Sequence, residues 1–301
     1  MHTLGFKIDA RPAEDLIGLA RSVERSGFDQ LWVCEDLGLA GGISQAAAAL
    51  ATTTTLQVGL GIAPAAVRNP MYLAMEFASV ARLSGGRFHA GIGHGEPRWL
   101  TQVGQHPRSL MTRLREVTAS VRDLLAGEIV TFSGDQIHLD AASLAQPPLD
   151  AVPISLGVRG PKGIELAKEL GTGVILAEGS TPEYVAAVRR TLGPDAPITV
   201  FVWAHLDAED SSRGVEALWP TIEQALQKRS LTAQLGDLYG ATCQPSVISR
   251  LSVSGDAQSC SDAVALLANS GADNVVLQPI RGHEEEQIER FGRYLTGRVP
   301  K

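Results

Sequence analysis

Short apolar runs alternate with longer segments of helical period along nearly the whole chain. Eight of these runs are continuously apolar or rich in β-branched and aromatic residues, as strands buried on both faces are. They are LGFKID (4–9), FDQLWVC (28–34), LQVGLGI (56–62), RFHAGIG (87–93), PISLGV (153–158), TGVILAE (172–178), ITVFVWAHL (198–206) and DNVVLQPI (273–280). This alternation is typical of repeated βα units around a parallel sheet.

The segments between the strands carry one apolar stripe each, as helices that cover a sheet do. The clearest stripes lie at residues 16–23 and 110–124, and Asn69-Pro70 and Thr181-Pro182 place a cap residue before a proline in the first helical turn. Glycines that follow helices as stop signals are Gly27, Gly171 and Gly271. The sequence therefore predicts an α/β fold, a single (β/α)8 TIM barrel spanning residues 1–301.

Two stretches exceed the minimal βα unit and predict insertions at the barrel rim. Residues 127–140 indicate a small hairpin that turns at Ser133-Gly134-Asp135. Residues 207–250 indicate extra helix interrupted by Pro220. Insertions after barrel strands usually shape access to a substrate site.

Composition and charge exclude several classes of protein. A net charge of −7 without a basic run opposes binding to nucleic acid. No signal peptide and no apolar stretch of about 18 residues is present, so we expect a cytoplasmic protein without a membrane segment. Cys34, Cys243 and Cys260 have neither disulfide-framework nor zinc spacing, and no His/Asp/Glu set has metal-ligand spacing, so we expect reduced thiols and no metal.

Polar residues follow the predicted strands, at the end of a parallel barrel where active sites lie. This set either forms an active-site rim or belongs to solvated loops. Its members are Asp9, Glu35, Asp36, His94, Glu96, Arg159, Glu178, His205, Gln278 and Arg281.

The elbow GRFHAGIGHGE (86–96) contains three glycines at alternate positions, which superficially matches a dinucleotide-binding loop. That loop should open the first βα unit, whereas this elbow closes the fourth strand. A better phosphate site is GVRGPKG (157–163), where Arg159, Lys162 and a helix N-terminus favour an anion. Gly179 and Ser180 in the next unit could serve the same phosphate. The alternative is a pair of ordinary βα turns.

Several segments together resemble the bacterial luciferase-like superfamily, and within it the F420-dependent oxidoreductases similar to methylenetetrahydromethanopterin reductase. These segments cover about residues 4–280, and LSGGRF followed by GxGxGE is the most specific. They are FDQLWVCED, LQVGLGIAPAAVRNPMYLAMEFASVARLSGGRFHAGIGHGE, GEIVTFSG and PISLGVRGPKGIELAKELGTGVIL.

The resemblance implies a TIM-barrel homodimer that transfers a hydride between C5 of the deazaflavin F420 and a small organic substrate. Alternatives are a monooxygenase that uses reduced FMN and O2, or a barrel that binds flavin or F420 without turnover. The resemblance also implies a cis peptide bond at Gly61-Ile62, in a bulge of strand three that supports the cofactor ring. An ordinary glycine kink is the other interpretation.

The resemblance places Gly160, Pro161 and Gly179 at cofactor phosphate and Glu35 at the cofactor. Glu96 corresponds to an active-site glutamate, which could exchange a proton if burial raises its pKa, or could instead cap the next helix.

One departure concerns strand two, where relatives place a catalytic histidine after an acidic residue and this chain has Glu35-Asp36. Asp36 or His94 could supply the missing group, although His94 could equally hydrogen-bond the rim. Arg68 is expected to have a structural role.

Overall fold

A computed structural model describes residues 2–297 of the chain. The described residues contain eleven strands and thirteen α-helices. The strands are β1 (Thr3–Ile8), β2 (Gln30–Val33), β3 (Gln57–Pro64), β4 (Phe88–Gly93), β5 (Val130–Ser133), β6 (His138–Ala142), β7 (Ile154–Gly157), β8 (Gly173–Leu176), β9 (Ile198–Leu206), β10 (Ser252–Gly255) and β11 (Asn274–Pro279).

The helices lie mainly between successive strands. They are α1 (Leu16–Arg25), α2 (Gly42–Thr52), α3 (Pro70–Ser84), α4 (Pro97–Gln102), α5 (Leu110–Leu125), α6 (Pro161–Leu170), α7 (Pro182–Leu192), α8 (Ser211–Glu216), α9 (Trp219–Leu226), α10 (Thr232–Leu235), α11 (Pro245–Leu251), α12 (Ala257–Asn269) and α13 (Glu284–Phe291). Short 3-10 turns occur at Ala13–Asp15, Arg229–Leu231 and Gly236–Leu238, and a π-helical turn at Gly292–Thr296.

Eight parallel strands close into a barrel in the order β1-β2-β3-β4-β7-β8-β9-β11, because β8 pairs with β9 and β11 pairs with both β9 and β1. All eight predicted strands are present, with ends that differ by at most two residues. The predicted (β/α)8 TIM barrel is therefore confirmed. The predicted domain, residues 1–301, includes residue 1 and residues 298–301, which lie outside the described part of the chain.

The main core lies between the barrel and its helices. In β2, Leu31 and Val33 are fully buried in this shell, whereas Gln30 and Trp32, which alternate with them, face the barrel interior. Alternation of this kind follows from the period of two along a strand. Because both faces of the strand are buried, its sequence is nearly continuously apolar.

The barrel interior is filled in layers, as in other TIM barrels. Near the amino ends of the strands, Gln30 Nε2 donates to Asn274 Oδ1 at 3.0 Å, and Asn274 Nδ2 donates to Thr199 Oγ1 at 2.9 Å. Trp32 Nε1 donates to Gln30 Oε1 at 2.8 Å. This polar layer fixes the indole ring that supports the layer above.

The next layer is an apolar plug, which we define as Ile62, Ile175, Phe201 and Val276 packed on Trp32. The rings of Trp32 and Phe201 meet edge to face with centroids 5.4 Å apart. The plug closes the barrel axis, so any cavity of the barrel must begin above it.

Strand β3 bulges at the level of the plug. One extra residue lies between the pairs Leu60–Ala90 and Ala63–Ile92, and the Gly61-Ile62 peptide bond is cis, as the family resemblance implied. A Cβ on Gly61 would approach Phe201 Cζ to 2.7 Å, so only glycine fits at this position.

The first insertion is the predicted hairpin, formed by β5 and β6. Its turn is held by the buried Glu116 carboxylate, which accepts hydrogen bonds from the backbone N–H groups of residues 135, 136 and 137 at 2.7–2.9 Å. The hairpin is therefore fastened to α5, the helix that carries Glu116.

The second insertion contains α8 to α11 and has a small core of its own around Leu218, Ile222 and Ile248. The helical stretch is interrupted just before Pro220, as predicted: α8 ends at Glu216 and α9 begins at Trp219, with Pro220 in its first turn, where no N–H is needed from that position. Strand β10 was not predicted, since SVSG is short and half polar. Strand β10 pairs with Trp203–Leu206, in the second half of β9. Strand β8 pairs with Ile198–Val200, in the first part of β9.

No helix among residues 2–297 is both long and apolar enough to span a bilayer. Cys34, Cys243 and Cys260 are buried and unbonded to one another.

Replacing Gln30 by Leu should lower the free energy of unfolding by about 2–4 kcal/mol, because the Trp32 N–H and the Asn274 side chain would lose buried hydrogen-bond partners. Urea denaturation measures this change. The matched control is Gln57→Leu. Gln57 is exposed, and its Oε1 accepts only a long hydrogen bond of 3.4 Å from Gln30 Nε2. Equal stability of the two variants would show that the polar layer does not support the plug.

Candidate active site

A cavity of about 290 Å³ opens at the carboxyl ends of the barrel strands, directly above the apolar plug. We call it the mouth cavity. Its apolar floor consists of Ile62, Ile175 and Phe201, and polar side chains surround this floor. Ten of the rim, site and cofactor residues predicted from the sequence line it: Asp9, Glu35, Asp36, Gly61, Ile62, His94, Glu96, Arg159, Glu178 and Gln278. The strand-end pattern therefore identified most of its polar wall.

Lys7 is a wall residue that the sequence analysis missed. Its ammonium donates to Glu178 Oε1 and Gln278 Oε1, both at 2.9 Å, and its side chain is only 9% exposed. Burial disfavours its charge, but the carboxylates of Glu178 and Asp9 outweigh this effect and raise the pKa of Lys7. The signal in the sequence was a lysine inside the otherwise apolar run LGFKID.

Asp36 lies half-buried in the wall, close to other ionisable groups. Burial raises the pKa of its carboxyl above the usual value; Asp9 and Glu178 add to this rise, while Lys7 and Arg159 oppose it. Because the raised pKa brings protonation closer to neutral pH, Asp36 is suited to accept or release a proton.

Asp9, Cys34 and Asp36 bring their polar atoms within 4.8 Å of one another. Burial raises the pKa of the Cys34 thiol, which stays protonated and donates to Asp9 Oδ1 at 3.2 Å. Lys7 Nζ lies 4.0 Å from Asp9 Oδ2. A protonated thiol and a neighbouring ammonium make this group a poor cation site.

Glu35 is fixed by Arg68, which donates to Glu35 Oε1 at 2.6 Å and pairs with Glu76 at 3.2 Å. Arg68 therefore has the structural role that the sequence indicated. Glu35 Oε2 is buried without a hydrogen-bond partner among the described residues. Burial raises the pKa of Glu35, and Arg68 opposes the rise.

The elbow after β4 contributes His94 and Glu96. His94 Nδ1 donates to the Gly95 carbonyl at 2.6 Å, so Nε2 is the ring nitrogen left to face other groups. Glu96 occupies the N-cap position of α4, but its side chain makes no capping hydrogen bond. It is also exposed, so the burial on which its predicted acid–base role depends is absent.

Gly160, Pro161 and Lys162 lie just outside the mouth cavity, where α6 begins. Gly160 is the N-cap of α6 and supplies no side-chain cap, and a Cβ added to it would meet no atom within 4 Å. Its φ of −104° is open to any residue. The neighbouring Arg159 Nε is buried and has no hydrogen-bond partner among residues 2–297. This turn therefore offers the backbone N–H groups of a helix N-terminus and a guanidinium beside open space.

Gly179 and Ser180 do not line the mouth cavity. Both are largely covered, and a Cβ on Gly179 would lie 3.6 Å from Leu231 and 3.7 Å from Leu235. Gln234 Nε2 donates to Ser180 Oγ at 2.7 Å, and Ser180 Oγ donates to the Ala177 carbonyl at 2.8 Å. The structure thus brings neither residue to the mouth cavity, because the second insertion covers them.

Of the remaining strand-end residues, Gln278 and Arg281 line a cavity and His205 lies away from the mouth cavity. Gln278 lies between the mouth cavity and a neighbouring cavity that Arg281 also lines. His205 is 8% exposed and packs against His283 with ring centroids 5.6 Å apart, so it does not line the mouth cavity.

A barrel whose polar side chains converge at the carboxyl ends of its strands has the arrangement of TIM-barrel enzymes. The model of a family described as luciferase-like monooxygenase matches residues 3–274. The chain belongs to that family.

Two curated relatives match nearly the whole chain. A 5,10-methylenetetrahydromethanopterin reductase of Methanolobus tindarius is 24% identical over 97% of this chain and 99% of its own. An F420-dependent glucose-6-phosphate dehydrogenase of Beutenbergia cavernae is 25% identical over 99% of this chain and 98% of its own.

Among solved structures, the coenzyme F420-dependent tetrahydromethanopterin reductase from Methanopyrus kandleri superposes with a TM-score of 0.84 at 18% identity. This match covers 98% of this chain and 99% of that one. The similarity at this identity concerns the fold.

Two substitutions should move the pKa of Asp36 in opposite directions. Asp9→Asn removes a neighbouring negative charge and should lower it, whereas Arg159→Gln removes a neighbouring positive charge and should raise it. Carboxyl ¹³C NMR titration, with the signal assigned through Asp36→Asn, measures both changes. Shifts of the same sign would contradict the electrostatic description of this wall.

Proposed function

We propose that the protein is an oxidoreductase that uses coenzyme F420 and acts on a small organic substrate at the mouth cavity. When bound, the deazaflavin supplies a carbon that accepts or donates a hydride. The observation that carries the proposal is the combination of an apolar floor with two buried polar atoms at its edge, Glu35 Oε2 and Arg159 Nε, that have no hydrogen-bond partner within residues 2–297. The two F420-dependent relatives support the choice of cofactor.

The floor of the mouth cavity fits a planar ring. Ile62, Ile175 and Phe201 present apolar atoms, and the glycine at residue 61 lets the β3 bulge approach Phe201 closely. Polar groups of Glu35 and Lys7 stand at the edge, where ring heteroatoms could receive hydrogen bonds or donate them. In this arrangement the floor excludes water from one face of the ring, and the wall sets its orientation.

The turn at residues 159–162 is the proposed anchor for the anionic tail of the cofactor. Gly160 leaves room for a ligand to approach the backbone, and the N-terminus of α6 favours negative charge. Arg159 and Lys162 add two positive charges. We retain Gly179 as a candidate for a contact through its backbone, but not Ser180, because Ser180 Oγ already bonds to the Ala177 carbonyl and to Gln234.

Asp36 is the proposed group for proton exchange with the substrate, and His94 Nε2 is a second acceptor in the same wall. Asp36 takes this role ahead of Glu96 because it is half-buried and its pKa is raised. A carboxyl that titrates closer to neutral pH transfers protons more effectively in both directions.

We also propose a cytoplasmic homodimer. Helix α3 exposes Tyr72, Met75 and Leu83 on one face, and Leu83 is 86% exposed. A second copy of the chain is the proposed cover of this apolar stripe. The three free cysteines fit a reducing compartment.

F420 should bind the wild-type protein, and Gly160→Val should weaken that binding at least about tenfold, because the added side chain occupies the space kept open at the turn. Valine can adopt the φ of this position, so the fold should be retained. Fluorescence titration measures the affinity. Gly18→Val is the matched control, since Gly18 is exposed on α1 and a Cβ added to it would likewise meet no atom within 4 Å.

If Gly160→Val binds F420 with unchanged affinity, the anionic tail of the cofactor does not bind at this turn. Micromolar binding of FMN without a response to F420 would favour the reduced-flavin monooxygenase instead. If neither cofactor binds, the barrel has no redox role of the proposed kind.

With a substrate that reduces F420, Asp36→Asn should lower kcat by about 10²–10⁴, the usual contribution of general acid–base catalysis. The absorbance of F420 follows the reaction. In the oxidation direction Asp36 must be ionised to accept a proton, so wild-type kcat should rise with pH through its raised pKa and the variant should lack this rise. Glu96→Gln is the comparison. If kcat falls only in Glu96→Gln, then Glu96 and not Asp36 is the group that exchanges the proton.

A further inference from the structure

A second cavity of about 250 Å³ adjoins the mouth cavity. We call it the side cavity. Lys7, Asp9 and Gln278 line both cavities and form the boundary between them. Beyond this boundary, the side cavity is walled by Trp203, Leu218, Thr221 and Ile280, which come from β9, the second insertion and the end of β11. The two cavities therefore meet at a buried ammonium and a carboxylate.

The boundary has unused hydrogen-bonding capacity. The Lys7 ammonium has three N–H donors, and two of them go to Glu178 and Gln278. Asp9 Oδ2 lies 4.0 Å from Lys7 Nζ, which is too far for a hydrogen bond but close enough for one oxygen to bridge the two groups. A hydroxyl oxygen in this position could accept from Lys7 and donate to Asp9. A carbonyl oxygen could accept from Lys7.

The charge around the side cavity is balanced. Lys7 is paired with Glu178, and Glu284 is paired with Arg11 at 3.4 Å and accepts from the Gly282 N–H at 2.9 Å. Arg281 adds one positive charge and Asp9 one negative charge. A phosphorylated substrate would need several uncommitted cations, which this cavity lacks among the described residues. Trp203, Leu218 and Ile280 instead provide apolar walls for an uncharged carbon skeleton.

We propose that the side cavity is the substrate chamber and that it selects small neutral alcohols or ketones over phosphorylated substrates. This inference rests on the proposed function, because the substrate carbon must face the mouth cavity. In oxidation, the carbinol C–H bond breaks and its electron pair leaves with the hydrogen as hydride to the deazaflavin. The hydroxyl proton passes to the Asp9 carboxylate and from there to Asp36, whose polar atom lies within 4.8 Å of that of Asp9, and a C=O bond forms; reduction is the reverse.

Thr221 gives a way to fill the chamber without touching the mouth cavity. Thr221→Phe should weaken the binding of cyclohexanone and cyclohexanol at least about tenfold, because the ring occupies their space. Ligand-observed saturation-transfer NMR on the full chain, with and without F420, measures binding independently of turnover. Gln224→Phe is the matched control, since Gln224 is exposed on the same helix and its variant should bind both probes as the wild type does.

Asp9→Asn tests the boundary itself. Asn offers an N–H donor that Asp9 lacks, so the variant should shift the ratio of affinities towards cyclohexanone and away from cyclohexanol. The affinity for F420 should stay within about twofold in Thr221→Phe. These three results together would establish a chamber that is separate from the cofactor site.

The proposal is overturned if the wild-type protein binds neither probe, if Thr221→Phe binds them normally, or if glucose 6-phosphate binds more tightly than cyclohexanone. Failure of F420 to bind the wild-type protein, with the probe results as expected, would instead contradict the proposed function. The two failures are distinguishable because probe binding is read without the cofactor.

Discussion

The filling of the barrel interior is the constraint on which the site depends. Trp32, fixed by Gln30, supports Phe201 and Ile175, and this plug sets the depth at which open space can begin. Close packing below leaves no room for a ligand, while side chains above the plug project from strand ends that the sheet holds in register. The polar wall of the mouth cavity is thus held close to rigid strands, because Lys7 and Gln278 lie on strands and the other ionisable wall residues follow a strand end within three residues.

A buried ammonium is the second organising feature, because it compensates several carboxylates at once. Lys7 lies within 4.0 Å of both Glu178 and Asp9, and it lowers the pKa that burial would otherwise give Asp36. Removing a charge from such a group leaves its partners uncompensated in a region of low dielectric constant. The proton affinity of this wall is therefore a collective property of residues on β1 and just after β1, β2 and β8.

The sequence predicted the barrel well because each strand is a local pattern. The eight apolar runs, the hairpin at residues 127–140 and the polar strand ends were all recognisable without knowledge of their neighbours in space. The cis bond at Gly61-Ile62 followed from resemblance to relatives, and no local pattern would have identified it. Lys7, the side cavity and the cover over Ser180 were missed, since each depends on contacts between segments far apart in the chain.

The contact of Gln234 with the end of β8 has an evolutionary consequence. Its amide donates to the Ala177 carbonyl at 2.8 Å and to Ser180 Oγ, so a residue of the second insertion satisfies polar groups of the barrel itself. A lineage that replaced this insertion to acquire another substrate would lose both of these hydrogen bonds, at about 0.5–1.5 kcal/mol each, and would keep only the bond from Ser180 Oγ to the Ala177 carbonyl. Diversification of this stretch is therefore tied to keeping one glutamine, or an equivalent donor, in place.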